Sequence, residues 1–464
     1  MTTNAIRGGR RVALAARYPA RDPALPQFIS NHGLRMVEAS LRAAALPPRD
    51  ATSASRGPRL DGLELEVWDG NGGTPASLAE TIIDYDPDVA GFSAYLWSFP
   101  FFVEVARLLK EDDPSRLIVF GGPSARASML RLEPFKAAHN WIDVLVTNDG
   151  EQTMVDLVSA DDRSAAALAG VPGIALRAPG GGWTETPSRP LADLNELPSP
   201  YEMGLVPAGG LAVLQTYRGC PFTCSFCEWG TLDSPRNVRG VEELRREFDG
   251  MATGDPSGAL LVDAGLNLNP HAFNHLREAA DRHGFFASRM LICEVYPAKV
   301  RAEHIDFLRG IAQPLVGIGL QSFDNSVLKH VERSYDEQRF EQTFGELTSV
   351  AGVAVEIILG LPGDTPENFR RSFERARSMP CALRVYHCVV LPSALMVRAP
   401  AHYAMDYDPV SLKMRSCLGW SEEALERECA HVSARARSEG GRSGEFFWVF
   451  PPPRPAGGGQ DIRR

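Results

Sequence analysis

The feature that most constrains the fold is an alternation of short apolar runs with helical segments. Segments with helical spacing, such as Leu34–Ala45 and Phe101–Lys110, separate the runs. Strands that are apolar throughout are typical of a parallel sheet with helices on both faces. The pattern therefore predicts an α/β fold that opens with a Rossmann-like parallel sheet. The five runs that predict its strands are 11–19, 63–70, 87–98, 116–125 and 141–151.

A second alternation follows a proline-rich stretch at 191–210, which we interpret as a linker. Six βα units favour a partial parallel (β/α)6 barrel, whose active site is expected over the carboxyl ends of its strands. The predicted strands are Leu211–Tyr217, Ala259–Asp263, Arg289–Val295, Leu315–Gln321, Val353–Gly360 and Leu383–Leu391, and the predicted helices are 240–251, 271–284, 299–309, 336–350 and 366–378.

These patterns predict three parts of the chain. Residues 1–190 are expected to form the Rossmann-like domain and residues 211–395 the barrel. Residues 396–464 are expected to form a short C-terminal extension, with a helix at Ser421–Arg437. Its tail, PPPRPAGGGQDIRR, is predicted to be disordered because it is too rich in proline and glycine to pack.

Charge and hydropathy exclude some classes of partner. The net charge of −10 argues against a protein that binds nucleic acid by broad phosphate neutralisation. No apolar run is long enough to cross a membrane. The apolar stretch after Arg11 is broken by Arg17, so it is interpreted as a strand rather than a signal peptide. We therefore expect a cytoplasmic protein whose thiols stay reduced.

Three of the eight cysteines lie within the sequence RGCPFTCSFCEWG, residues 218–230. Cys220, Cys224 and Cys227 are compatible with a structural role, a zinc site or an iron–sulfur cluster. Zinc requires four ligands, usually in pairs, and the remaining cysteines stand alone. A [4Fe–4S] cluster held by three thiolates leaves one iron open for chemistry. The triplet follows the first predicted barrel strand, at the expected catalytic face, which favours the cluster.

The triplet, with Phe226 before its last cysteine, resembles the radical S-adenosylmethionine (SAM) superfamily. Residues 316–333 and 355–369 are similar to the fourth-strand and fifth-strand segments of that superfamily. The resemblance implies that the three cysteines hold a [4Fe–4S] cluster and that SAM chelates its open iron. It also implies that one electron cleaves SAM to a 5′-deoxyadenosyl radical.

The same resemblance implies a set of residues that bind SAM. Asp263, in DAGLN where the superfamily usually has Gly-Gly-Glu, is expected at the SAM amino group. Glu294 is expected at the ribose or methionine moiety, or alternatively paired with a neighbouring Lys or Arg. Gln321 either faces the site or caps the next helix. The backbone near Gly360 and Gly363 is expected to meet the adenine.

The N-terminal sheet before such a barrel resembles the cobalamin-binding class of the superfamily, and residues 142–158 and 193–201 are similar to segments of that class. The resemblance implies that Gly121, Gly122 and Ser124 allow cobalamin to approach the backbone. Trp97 and its aromatic neighbours form a wall beneath the corrin, or pack between the domains. A D-x-H-x-x-G sequence is absent, so no protein histidine is expected on cobalt.

The leading hypothesis is a cobalamin-dependent radical SAM methyltransferase that acts on an unactivated carbon of a small-molecule or natural-product substrate. An electron donor such as flavodoxin or ferredoxin is implied as a partner. The alternatives are a cobalamin-dependent cyclase or rearrangement enzyme and a cobalamin-free enzyme of the oxygen-independent coproporphyrinogen oxidase group. A methylthiotransferase and a cobalamin sensor without chemistry are further alternatives. The methylthiotransferase is disfavoured because no cysteine precedes Cys220 to bind a second cluster.

Overall fold

The structure is a computed structural model, and it describes residues 10–18, 29–47, 58–178, 180–231, 238–333 and 335–453. Most of the tail that was predicted to be disordered lies outside these ranges. In the described part of the chain, no helix is both long and apolar enough to cross a membrane.

In the described residues the first sheet has seven strands in the order β2-β1-β3-β4-β5-β6-β7. Strands β1 to β5 are parallel, and β6 and β7 are antiparallel at one edge. The predicted Rossmann-like parallel sheet is therefore confirmed. The strands are β1 (Arg10–Ala16), β2 (Leu63–Asp69), β3 (Val89–Ser93), β4 (Leu117–Gly121), β5 (Val144–Val146), β6 (Ile174–Arg177) and β7 (Trp183–Glu185).

Helices cover both faces of this sheet because its strands are apolar on both faces. Val12 and Leu14 belong to the apolar layer beneath one helix pair, whereas Ala13 and Ala15 belong to the layer beneath the other. The first pair is α1 (His32–Ala45) with α4 (Gly150–Ser159), the second is α2 (Pro75–Tyr85) with α3 (Phe99–Asp112), and α5 is the short helix Ala165–Leu168.

The second sheet has eight described strands in the order β16-β17-β13-β12-β11-β10-β9-β8. Strands β8 to β13 are parallel, and β17 and β16 extend the sheet antiparallel beyond β13. This arrangement confirms the predicted partial barrel of six βα units. The strands are β8 (Ala212–Leu214), β9 (Gly258–Leu261), β10 (Met290–Val295), β11 (Gln313–Gln321), β12 (Gly352–Leu359), β13 (Ala382–His387), β16 (Arg442–Ser443) and β17 (Phe447–Phe450), and a hairpin is formed by β14 (Asp406–Tyr407) and β15 (Met414–Ser416).

One continuous apolar core joins the barrel strands to the helices around them. Phe248, Phe273, Phe340, Phe369 and Phe373 contribute the large buried rings of the helix layer. The helices are α6 (Val241–Thr253), α7 (Pro270–His283), α8 (Ala302–Arg309), α9 (Asn325–His330), α10 (Glu337–Thr348), α11 (Pro366–Ser378), α12 (Leu395–Arg398) and α13 (Glu422–Ser438).

Candidate functional site

The carboxyl-terminal edges of the two sheets face each other. Arg218 follows β8 and forms ion pairs with Glu151 and with Asp149, the second at 3.2 Å. Both carboxylates lie at the start of α4, the helix after β5. Ser128, which follows β4, donates its hydroxyl to the Pro392 carbonyl after β13 at 3.0 Å. Because α/β sheets and barrels bind ligands at these edges, ligands of the two sheets would meet in one space.

The three-cysteine loop lies at this junction. Cys224 is buried, Cys220 and Cys227 are half-buried, and none of the three forms a disulfide bond. The loop has no strand or helix of its own between Cys220 and Cys227. Its backbone is fixed by a Ser225 N–H bond to the Val331 carbonyl at 3.1 Å and by a Cys227 N–H bond to the Cys224 carbonyl at 3.0 Å.

The donor set of the loop suits an iron–sulfur cluster. Three neighbouring thiols at the carboxyl end of a barrel strand are the donors of a cluster that takes one thiolate on each of three irons. A closed zinc site takes four ligands instead. Among the described residues, no group of three or more His, Cys, Asp or Glu side chains is placed to hold a metal ion.

Arg333 connects the cysteine loop to the barrel, and the sequence analysis did not single it out. Its Nη1 lies 3.8 Å from the Cys224 sulfur, its Nη2 donates to the Gly319 carbonyl, and its guanidinium lies 5.2 Å from the Tyr296 ring centre. Tyr296 in turn stacks on Phe222 of the loop at 4.5 Å. The available signal was the arginine that ends the segment VGIGLQSFDNSVLKHVER.

Asp263 lies at the end of β9 with its carboxylate already engaged. The carboxylate accepts hydrogen bonds from the Thr216 N–H at 2.8 Å, the Tyr217 N–H at 3.3 Å and the Thr216 hydroxyl. Burial raises the pKa of Asp263 to about 7, although these hydrogen bonds oppose the shift. The bonds also explain why β8 ends at Leu214 rather than at Tyr217 as predicted. The N–H groups of Thr216 and Tyr217 bond to Asp263 instead of to a neighbouring strand.

Glu294 points into the barrel interior from β10. Its Oε1 lies 3.8 Å from Nη1 of Arg384 on β13, and that nitrogen makes a closer contact of 2.9 Å with Glu356 on β12. Burial and the nearby Glu356 raise the pKa of Glu294 to about 8. Glu294 therefore lies within ion-pair distance of a neighbouring arginine, as the alternative expects, although Arg384 is closer to Glu356.

Two glycines of β11 make room for the side chains of Glu294 and Gln321. A Cβ at Gly317 would lie 2.1 Å from Oε1 of Glu294, so the carboxylate lies directly over that glycine. A Cβ at Gly319 would lie 2.7 Å from the side-chain nitrogen of Gln321. Gln321 has a φ of 76° at a register shift between β11 and β12, and its amide folds back beside Arg333. The next helix, α9, is capped by Asp324, so Gln321 is free of that role.

Gly360 and Gly363 both have positive φ, at 90° and 86°. A Cβ at Gly360 would lie 3.1 Å from Leu425 of α13, and a Cβ at Gly363 would lie 2.8 Å from the His330 ring. Side chains of the protein therefore pack against both glycines on the Cβ side.

In the first sheet the three predicted cofactor residues differ in their surroundings. Gly121 leaves space at the tip of β4, where the nearest atom to an added Cβ is 3.8 Å away. Gly122 has a φ of 95°, and its Cβ would lie 2.8 Å from the Ala94 carbonyl oxygen. The buried Ser124 donates its N–H to the same carbonyl at 3.0 Å. Gly122 and Ser124 thus fix the β4 tip against the loop after β3.

Trp97 follows β3 and is 37% exposed. It stacks on Tyr95 at 4.7 Å and donates its indole N–H to the Arg17 carbonyl at 2.8 Å. His32 is the first residue of α1, which is capped by Asn31, and burial lowers the pKa of His32 to about 3. This histidine is therefore neutral.

Two family models match the chain. The model described as "Radical SAM superfamily" matches residues 214–376, and the model described as "B12 binding domain" matches residues 25–158. The first match contains the cysteine loop and strands β9 to β12, and the second contains most of the first sheet and its helices.

Two of the relatives that the chain resembles over about two thirds of its length are named methyltransferases. The chain is 29% identical over 338 residues to the 2-(S-pantetheinyl)-carbapenam-3-carboxylate methyltransferase of Streptantibioticus cattleyicolor, covering 67% of this chain and 48% of that protein. It is 27% identical over 339 residues to the cobalamin-dependent radical SAM methyltransferase TokK of Streptomyces tokunonensis, covering 68% and 49%. The chain thus spans about half the length of these curated relatives.

Two solved structures share the fold over most of the chain. TsrM from Kitasatospora setae, a radical SAM methyltransferase with cobalamin and a [4Fe–4S] cluster bound, has a TM-score of 0.62 and 17% identity, covering 87% of this chain and 84% of TsrM. OxsB, a cobalamin-dependent SAM radical enzyme with aqua-cobalamin and SAM bound, has a TM-score of 0.64 and 14% identity, covering 93% and 67%. Fold, cysteine loop and family matches agree, and the chain carries a B12-binding domain followed by a radical SAM domain.

Proposed function

We propose that this protein is a cobalamin-dependent radical SAM methyltransferase that methylates an unactivated carbon of a small-molecule substrate. The observation that carries the proposal is that the carboxyl-terminal edges of the B12-binding sheet and the barrel face each other across the cysteine loop. Both relatives that match two thirds of the chain are named methyltransferases, which favours methyl transfer over a rearrangement.

Membership in the two domain families implies a [4Fe–4S] cluster, SAM and cobalamin as cofactors. When bound, they supply an electron for cleavage of SAM and a methyl group for transfer. Cys220, Cys224 and Cys227 would hold the cluster.

Arg333 and Glu294 of the barrel would bind different parts of SAM, its carboxylate and its ribose. Arg333, beside the Cys224 sulfur, would bind the SAM carboxylate through its planar fork of donors. Glu294 carries a carboxylate with no hydrogen-bond donor closer than Arg384, so it would accept bonds from ribose hydroxyls. Asp263 would act indirectly, because its bonds to Thr216 and Tyr217 fix the chain that leads into Cys220.

On the opposite side, Gly121 would leave room for the corrin, and Trp97 would supply an apolar edge. Gly122 and Ser124 would keep the β4 tip in place. His32 begins α1 and is half-buried and neutral, and we propose no role for it on cobalt.

Anaerobic reconstitution with iron and sulfide, with and without hydroxocobalamin, tests the proposal. We expect a broad visible charge-transfer band that is lost in Cys224→Ala, retention of one corrinoid per chain, and cleavage of SAM to 5′-deoxyadenosine with reduced flavodoxin or ferredoxin. Iron without corrinoid retention would favour a cobalamin-free radical enzyme. Stoichiometric zinc in place of iron would overturn the proposal.

A further inference from the structure

The segment that follows β13 contacts the cysteine loop, although the two are more than 160 residues apart in the sequence. It comprises residues 393–398 and ends in the short helix α12. Ala394 and Leu395 are completely buried and anchor this segment in the protein. Its polar contacts with the loop come from its two ends, Ser393 and Arg398.

Arg398 donates to three backbone carbonyls of the loop. Its Nη1 lies 3.3 Å from the Thr223 oxygen, and its Nη2 lies 3.1 Å from the Cys224 oxygen and also bonds to the Cys227 oxygen. Two of these carbonyls belong to cysteines of the triplet. One guanidinium therefore fixes the backbone on both sides of the C-x2-C half of the loop.

Ser393 holds the residue after the triplet. Its N–H and its hydroxyl both donate to Oε1 of Glu228, at 3.1 Å and 2.7 Å. Burial raises the pKa of Glu228, while Ser393, Arg126 and Arg398 oppose that shift. The segment thus contacts the loop from Thr223 to Glu228 by five hydrogen bonds.

These contacts replace the backbone pairing that the loop lacks. Carbonyl oxygens that converge on one point repel each other unless a donor lies between them, and a buried carbonyl without a donor is costly. A guanidinium suits this position because it presents several donors in one rigid plane and stays charged.

We propose that Arg398, supported by Ser393, is a positioning residue that holds the three-cysteine loop in its cluster-binding conformation before the cluster is assembled. The part of this inference that concerns iron rests on the proposed function, whereas the conformation of the loop does not. Arg398 would also place a positive charge near the negatively charged thiolate cluster, and that charge would raise the potential at which the cluster is reduced.

Hydrogen–deuterium exchange on the full-length apo protein tests the loop conformation. In Arg398→Gln we expect amides of residues 223–228 to exchange at least ~10-fold faster, because hydrogen bonds from a charged group are lost. Ser393→Ala keeps the backbone N–H bond to Glu228, so we expect a smaller increase in the same peptide. The control is Arg309→Gln, which removes only a surface ion pair with Asp306.

Unchanged exchange of residues 223–228 in Arg398→Gln would overturn the proposal. If Arg398→Gln exchanges faster throughout the barrel, its fold is perturbed and the Ser393→Ala variant becomes the test. Unchanged exchange of residues 223–228 in Ser393→Ala would then overturn the proposal.

The second measurement follows iron after anaerobic reconstitution. We expect Arg398→Gln to lose its cluster to a chelator ~10-fold faster than the wild type and to have a more negative midpoint potential, while Arg398→Lys keeps the potential but loses the cluster faster. Equal chelation rates and potentials in all three proteins would overturn the role of Arg398. Failure of the wild type to take up iron would instead contradict the proposed function and leave the exchange result standing.

Discussion

Arg218 and Glu151 form a buried ion pair that joins the two halves of the protein. Their side chains are 12% and 5% exposed, and Asp149 adds a second carboxylate at 3.2 Å from the guanidinium. Glu151 lies in the first turn of α4, where the helix dipole favours a negative charge. Arg218 is two residues before Cys220, so the B12-binding sheet holds the chain at the entry to the cysteine loop.

Breaking this pair is expected to be costly. Glu151→Gln leaves the Arg218 charge buried with only Asp149 as its partner, and we expect it to lower the free energy of unfolding by about 3 kcal/mol. Urea denaturation of the apo protein measures this loss. The matched control is Asp306→Asn, which breaks an exposed pair with Arg309 and should change stability by less than about 1 kcal/mol. A loss in Glu151→Gln no larger than in the control would show that the junction does not depend on the pair.

The raised pKa of Glu294 predicts a pH dependence of stability. Because its pKa in the folded protein is about 8, above the ordinary 4.5, the folded state binds the extra proton between these values. Stability of the apo protein should therefore fall as pH rises from about 5 to about 8. Urea midpoints at pH 6 and pH 8.5 should differ less in Glu294→Gln than in the wild type. A control at an exposed carboxylate of α2, Glu80→Gln, should keep the wild-type difference, and an unaltered difference in Glu294→Gln would contradict the assignment.

Gly317 is predicted to control the position of Glu294. In Gly317→Ala the added methyl would occupy the place of the carboxylate, 2.1 Å from Oε1, and Glu294 must move. We expect SAM affinity of the reconstituted protein to fall about 10-fold, measured by equilibrium dialysis, because a hydrogen bond from SAM to Glu294 is lost. The control is Gly345→Ala, where nothing lies within 4 Å of the new methyl. Equal SAM affinity in both variants would remove Glu294 from the SAM site.

Arg333 is predicted to bind SAM without being needed for iron. Arg333→Lys keeps the charge but loses the planar fork that reaches the Gly319 carbonyl and the Cys224 sulfur. We expect SAM affinity to fall about 10-fold while the iron content stays that of the wild type. Arg309→Lys, on the surface of α8, serves as the control for the exchange of arginine for lysine. If iron content falls and SAM affinity does not, Arg333 supports the loop rather than the cofactor.

The sequence predicted the secondary-structure elements well and the contacts of individual side chains poorly. The barrel strands and the cysteine loop follow from local patterns, and the Rossmann-like sheet and the partial barrel are both confirmed. The partners of Asp263 were missed because its donors, Thr216 and Tyr217, are 47 and 46 residues away and share no pattern with it. Gly122 likewise has a positive φ, for which the sequence indicates only a turn. In the structure its backbone lies close to the Ala94 carbonyl of another loop.

Arg333 and Arg398 illustrate the same limit at the site itself. Each acts on the cysteine loop from a segment more than 100 residues away. Arg333 ends a segment that resembles the superfamily, but nothing in the local sequence of either arginine shows that it reaches the cysteine loop. Only the folded barrel brings both guanidinium groups to the loop.

Strand β11 has a consequence for substitutions in the barrel. At Gly317 and Gly319 the side chains of Glu294 and Gln321 lie against its main chain, and main chain in a sheet cannot rotate out of the way as a side chain can. A methyl group added at either glycine would have to displace the facing side chain. The two glycines therefore set how closely Glu294 and Gln321 approach the strand.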